Sequence, residues 1–341
     1  LNDANTIKEF TNAQVTLNVV EDTVSNITSI DGLKTSNVSM AAASVTVTDA
    51  ATLSDANAIN DFTKGQITLN SVQDSYSNLV SIIETSNTEL DMSNALVRVT
   101  NQVDFVKVNQ LIANTSKLVT VDNISDEKAL LAVINITRNA NIESADITVT
   151  DNINKSDADT INAYNISGNV TITSITDSFS NISSVQGTAG ISIGTALITA
   201  TDAITLENAN SLNGFTDGLV TLNSVQDTVL NITSIDLIDS NEVSMAAAAI
   251  TVTDTASLSD ANTLNGFTEG QVTLNFVEDT VSNITSIDRL DSNNVSMAAA
   301  AVIVTDPASL ADATAINGFT EGLVTLNSVE DSYANIQDIK K

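Results

Sequence analysis

The chain has 341 residues, 42% of them hydrophobic, and a formal charge of −30 from 42 acidic and 12 basic residues. This composition excludes general disorder, and the charge disfavours nucleic acid and anionic membrane surfaces while attracting metal cations. The absence of Cys and His excludes disulfides, zinc centres, thiol nucleophiles and every triad built on imidazole.

Aromatic residues make up only 3% of the chain and there is no Trp, so burial must rest on Val, Ile, Leu and Ala. No apolar run approaches the roughly 18 residues of a membrane span. The sequence begins at Leu1 inside a repeat, without Met or a signal-peptide pattern, and reads as part of a longer chain or a processed product.

Taken from the N-terminus, the first recurring element is the text VTLN at Val15. It returns, with variation, at Ile67, Val119, Val170, Val220, Val272 and Val324, at intervals of 52, 52, 51, 50, 52 and 52 residues. The second is VTVTD at Val45, which returns at Val97, Ile147, Ile198, Ile250 and Val302. Both read as strands by period-two alternation: in Ile250-Thr251-Val252-Thr253 the apolar residues face one way and the threonines the other. The runs that follow each strand read as short helices. The third unit shows this best, with DFVKVNQLIAN from Asp104 and DEKALLAVI from Asp126, both good helical text after an Asp cap. Further along, Leu258, Ala261, Leu264 and Phe267 form one stripe, Ser257 and Asp260 have capping-box spacing, and Gly270 stands where a left-handed helix stop is expected.

A strand and a helix in every 22 to 30 residues, with no unit able to bury its own apolar face, predict a repeat solenoid. The expected fold is an α/β solenoid with parallel sheets and short helices, about 26 residues per coil in 52-residue double-coil units. The alternative is an all-β right-handed parallel β-helix in which the helical runs are only turns. One continuous solenoid is expected over residues 1–341, in units of approximately 1–44, 45–96, 97–146, 147–197, 198–249, 250–301 and 302–341. About 13 coils stacked at the strand spacing would make a rod roughly 60 Å long.

The candidate site is the set of strand-end aspartates: Asp22, Asp49, Asp74, Asp126, Asp151, Asp177, Asp202, Asp227, Asp254, Asp279, Asp306 and Asp331, with Asn101 in the odd unit. If all coils were equivalent, these residues would fall on one edge at the strand spacing. Neighbouring charges there would repel by about 0.9 kcal/mol in water and about 3.5 kcal/mol at an effective dielectric of 20. Two readings follow: each Asp caps its own helix, or a partly buried column binds Ca²⁺. No cofactor is required by the first reading. No D-x-[DN]-x-[DN]-G loop and no glycine-rich nonapeptide is present. Acids at Asp3, Asp55, Asp157, Glu207, Asp260 and Asp312 fall in helix first turns.

Other columns read as structural. Asn18, Asn70, Asn223, Asn275 and Asn327, and Asn26, Asn78, Asn181, Asn231, Asn283 and Asn335, are expected to stack as amide ladders. Phe10, Phe62, Phe215, Phe267 and Phe319, with Tyr164, are expected in the core. The SMAAAA runs at Met40, Met245 and Met297 suggest tight corners. Half of the basic residues, Arg98, Lys107, Lys117, Lys128, Arg138 and Lys155, gather in the divergent units, which suggests a patch for an acidic neighbour or simple drift.

The texts VTVTDTAS and VEDTVSNITSI, with a following NNVS strand, resemble over the full length the long tandem-repeat proteins of bacterial cell surfaces, including type I-secreted giant adhesins and S-layer-like proteins. The resemblance implies an extracellular, structural or adhesive role, often calcium-dependent. The expected function is a non-enzymatic repeat module forming an elongated rod in an adhesin, surface layer or filament. The alternative is a calcium- or glycan-binding surface module. Expected partners are further repeats, through lateral or end-to-end self-association, and a cell-surface glycan; nucleic acid and a membrane span are not expected.

Overall fold

In a computed structural model the structure describes residues 1–85, 89–137, 139–238, 242–290 and 294–339. Strands and helices alternate throughout, and the fold is an α/β solenoid rather than an all-β helix. The chain groups into two compact units. One comprises Leu1–Asp151 with Asp157–Thr171, the other Asn152–Ser156 with Ile172–Lys341.

Each unit is built from two alternating coil types. In the second unit the VTLN type is a single strand, Val220–Asp227, followed by the helix Val229–Ile238. The other type has a short piece, Val243–Ser244, a corner, and then a long strand, Ala249–Ala256, before the helix Leu258–Asn265. All pairing is parallel: Val220 and Thr221 lie beside Val243 and Ser244, while Ser224 to Asp227 lie beside Ala249 to Val252. The first unit repeats this plan, with Ile67–Thr68 beside Leu90–Asp91 and Ser71–Asp74 beside Leu96–Val99.

Alternation decides what is buried. In Val220–Asp227 the residues Val220, Leu222 and Val225 are at most 1% exposed, while Thr221, Asn223 and Ser224 face outward. The helices return Ile232 and Ile235, or Ala261 and Leu264, to the same core, each 0% exposed. A fully buried Leu or Ile contributes about 1.5–3 kcal/mol, so the coil-to-coil core supplies most of the stability despite the scarcity of aromatic residues.

Two features could not be read from the repeat spacing. The long strand of the VTVTD coil carries one extra residue: Val252 lies opposite Leu274, but Thr255 lies opposite Phe276. This bulge recurs between Val47 and Ala50, Val99 and Gln102, Ala200 and Ala203, and Val304 and Pro307. The single proline of the chain, Pro307, sits at one of these bulges, where a missing ladder N–H is tolerated. The second feature is a slant of the ladder. Val72 pairs with Val97 and Val97 with Val119, so the strand starting at Val119 begins five residues along from its predecessor at Ile67. Successive VTLN strands are therefore displaced by about 16 Å along the strand direction.

The expected aromatic core column is not found. Phe62, Tyr164, Phe215, Phe267 and Phe319 are half-buried and Phe10 is 83% exposed. The buried residue is the next one along: Thr63, Thr115, Thr216, Thr268 and Thr320, with Asn165 in the unit 147–197, are 1–8% exposed. Each closes a corner by donating a side-chain hydrogen bond to a buried alanine carbonyl of the preceding coil. For Thr268 the acceptor is the Ala248 carbonyl at 2.7 Å, and the same hydroxyl accepts from the Gly270 N–H at 2.8 Å. Gly270 is accordingly not a left-handed stop. A Cβ there would lie 2.2 Å from the Ala248 oxygen, so close backbone approach requires the glycine.

Candidate functional site

The strand-end aspartates lie at the N-terminal ends of the helices, but they do not form the column of facing charges expected from the sequence. Asp22, Asp74, Asp126, Asp227 and Asp279 lie directly across the ladder from Val47, Val99, Val149, Val252 and Val304, and Asp177 from Ala200. The slant of the ladder offsets the aspartates of successive VTLN strands, while those of adjacent coils meet at one helix start, Asp227 taking the Thr228 N–H and Asp254 the Val229 N–H.

What each carboxylate does is set by hydrogen bonding, and the expectation that it caps its own helix needs correction. The N-cap side chains are the hydroxyls one residue later: Thr23, Ser178 and Thr280 accept from the N–H groups of Asn26, Asn181 and Asn283. In the other coil type, Thr52, Ser257 and Ser309 form capping boxes with Asp55, Asp260 and Asp312. Asp104 does cap its own helix, as expected. By contrast, Oδ2 of Asp74, Asp126, Asp177, Asp227, Asp279 and Asp331 accepts the first helical N–H of the preceding coil. The donors are Leu53, Phe105, Lys155, Leu206, Leu258 and Leu310, at 2.7–2.9 Å. In the first coil Asp22 instead receives the Leu1 amino group at 2.7 Å.

Oδ1 of the same residues faces their own helix. In Asp227 it accepts the Thr228 N–H and the Asn231 amide, both at 2.8 Å. The asparagines Asn26, Asn78, Asn181, Asn231, Asn283 and Asn335 thus bind the aspartate four residues before them at 2.7–2.8 Å, which replaces the stacked ladder expected for them. The other asparagine column, at Asn18, Asn70, Asn223, Asn275 and Asn327, lies on the outer surface. Asp126 is followed four residues on by Leu130 and keeps only the two backbone bonds.

The second aspartate type occupies the bulge. Asp49, Asp151, Asp202, Asp254 and Asp306 reach back to the first helical N–H of the preceding coil, at Val24, Lys128, Phe179, Val229 and Val281, over 2.8–2.9 Å. The extra residue turns the side chain from the sheet towards that helix end. Asn101 does the same through its amide oxygen, 2.7 Å from the Tyr76 N–H. A neutral acceptor therefore serves at this position.

These bonds set the titration of the carboxyls. Burial pushes Asp74, Asp177, Asp227 and Asp279 up, but the N–H and amide bonds to the charged form outweigh it and hold all four below the usual carboxylate range. In Asp331 the Leu310 N–H bond leads the same lowering.

Among the described residues no group of three or more acidic side chains converges on a point that could hold a metal ion. Each strand-end carboxylate accepts at least one backbone N–H. Melting in millimolar calcium and in chelator should give the same midpoint. A midpoint raised by calcium would mean that a site forms, since a ligand at a hundred times its Kd adds about 2.7 kcal/mol.

The divergent units bring their cations to acids of their own chain: Arg98 to Asp122 at 2.8 Å, Lys107 to Asp104 at 2.9 Å and Lys128 to Asp157 at 2.6 Å. Lys117 is exposed, and Arg138 lies outside the described residues. Among the described residues no helix is long and apolar enough to cross a membrane.

Sequence reasoning found the aspartates and their place at helix starts. It missed the direction in which they reach and the buried Thr column, although the recurring F-T-x-G text carried a signal for the second.

The fold and this edge define an α/β solenoid whose coils are joined through side-chain caps on neighbouring helices. No family model, no curated protein and no solved structure matches the chain.

Proposed function

We propose that this protein is a non-enzymatic structural repeat module, part of an elongated rod in an extracellular bacterial adhesin, surface layer or filament. The observation that carries this reading is the use of the acidic edge. From Asp49 onward, one carboxylate oxygen of each strand-end aspartate is already bonded to a backbone N–H group of an adjacent coil. The same arrangement recurs from coil to coil among the described residues. Such bonding resists separation of the coils, which is what a load-bearing or spacing element requires.

The surface location rests on the resemblance of the repeat text to bacterial surface proteins and is supported by the acidic, cysteine-free composition. Self-association with further repeats fits this role. Electron microscopy of the purified chain tests the reading: elongated particles are expected, and dispersed compact globules would remove it.

A further inference from the structure

Two helix faces in this protein carry large aliphatic side chains where their counterparts carry polar ones. In the first unit, Val106 is 71% exposed at the second position of the helix Phe105–Ile112, where Ser54 and Ser259 stand in the related helices. On the next helix, Lys128–Ile136, Val133 and Ile136 are 41% and 77% exposed, against Ser286 and Arg289 in Val281–Arg289. With Ala129 they follow an i, i+4, i+7 spacing, which places them on one helix face. In the second unit, Leu230 and Leu237 of the helix Val229–Ile238 are 73% and 74% exposed and lie seven residues apart on the equivalent face.

The surroundings of the two faces differ in charge. The segment 96–137 holds four basic residues (Arg98, Lys107, Lys117 and Lys128) against four acidic ones (Asp104, Asp122, Asp126 and Glu127). Lys107 and Lys128 flank the apolar stripe with side chains 40% and 39% exposed. Residues 156–288 contain sixteen acids and no Lys or Arg, and Glu207 is exposed on the helix next to Val229–Ile238. Two copies carrying −30 each repel over most of their surface. Contact between copies is favoured where a charge-balanced apolar face of one meets an acidic apolar face of the other.

We propose that the face bearing Val106, Val133 and Ile136 docks onto the Leu230 and Leu237 face of a second copy of this chain. This rests on the self-association reading above and names its contact. The contact joins a face of the first unit of one copy to a face of the second unit of the other.

Sedimentation of the full chain tests the pairing. The wild-type protein should associate with rising concentration, whereas Ile136→Asp and Leu237→Asp should each remain monomeric with an unchanged circular dichroism spectrum. An equimolar mixture of the two variants should form dimers that do not grow, because each variant keeps the face that the other lacks. Association surviving in either single variant, or a mixture that stays monomeric, would overturn this pairing while leaving self-association through another surface. A monomeric wild-type protein would remove the proposed contact and self-association together, whatever the particle shape in the microscope.

Discussion

Replacing Asp227 with Ala should lower stability by about 2–4 kcal/mol, because three donors to a charged acceptor lose their partner together. These are the Leu206 N–H of the preceding coil, the Thr228 N–H and the Asn231 amide. Asp227→Asn should be little better. An amide has one oxygen, which can keep the bonds of Oδ1, but its NH2 group would then face the Leu206 N–H, donor against donor. Asp254→Asn should be almost neutral, since Asn101 performs the same task in the divergent unit, and Asp254→Ala should cost about 1 kcal/mol, as for other lost caps. Urea midpoints of the four variants check this order. Equal losses for Asp227→Asn and Asp254→Asn would show that charge, not acceptor geometry, holds the edge.

Acid should act on the same bonds in many coils at once. Asp74, Asp177, Asp227 and Asp279 have folded-state pKa values below their ordinary value. The unfolded chain therefore takes up protons first as pH falls. Their contribution is complete above the ordinary carboxylate pKa of about 3.9 and is lost as pH falls towards and through the folded values. The melting midpoint should hold between pH 7 and about pH 4 and then fall. A midpoint indifferent to acid would contradict the role assigned to these carboxylates.

The second large effect is expected at Gly270. Ala at this position should destabilise by about 1–3 kcal/mol, because a Cβ 2.2 Å from a buried backbone oxygen forces two coils apart. Gly32 is the matched control. It lies in right-handed helical geometry with φ −56° and nothing within 4 Å of its Cβ position. Gly32→Ala should therefore stabilise by about 0.4–1 kcal/mol, through the unfolded state. Thermal melts of the two variants separate close approach from helix propensity: loss in both would point to a backbone requirement common to these glycines.

The coil, its period and its inward face follow from local patterns in the sequence. Val and Ile at alternate positions define the strands, the Ala and Leu stripe with its Ser and Asp caps defines the helices, and the 52-residue interval defines the stacking. The tertiary structure decided how one coil meets the next. Repeat spacing fixes which residues are equivalent, but the ladder register fixes which residues face each other. The bulge at Asp254 and the five-residue offset seen at Val72, Val97 and Val119 arise only when strands pair. That register made the strand-end aspartates caps for neighbouring helices as well as partners of their own, because a carboxylate is stabilised by the nearest unpaired N–H groups, and the slanted ladder brings those of the coil before within reach.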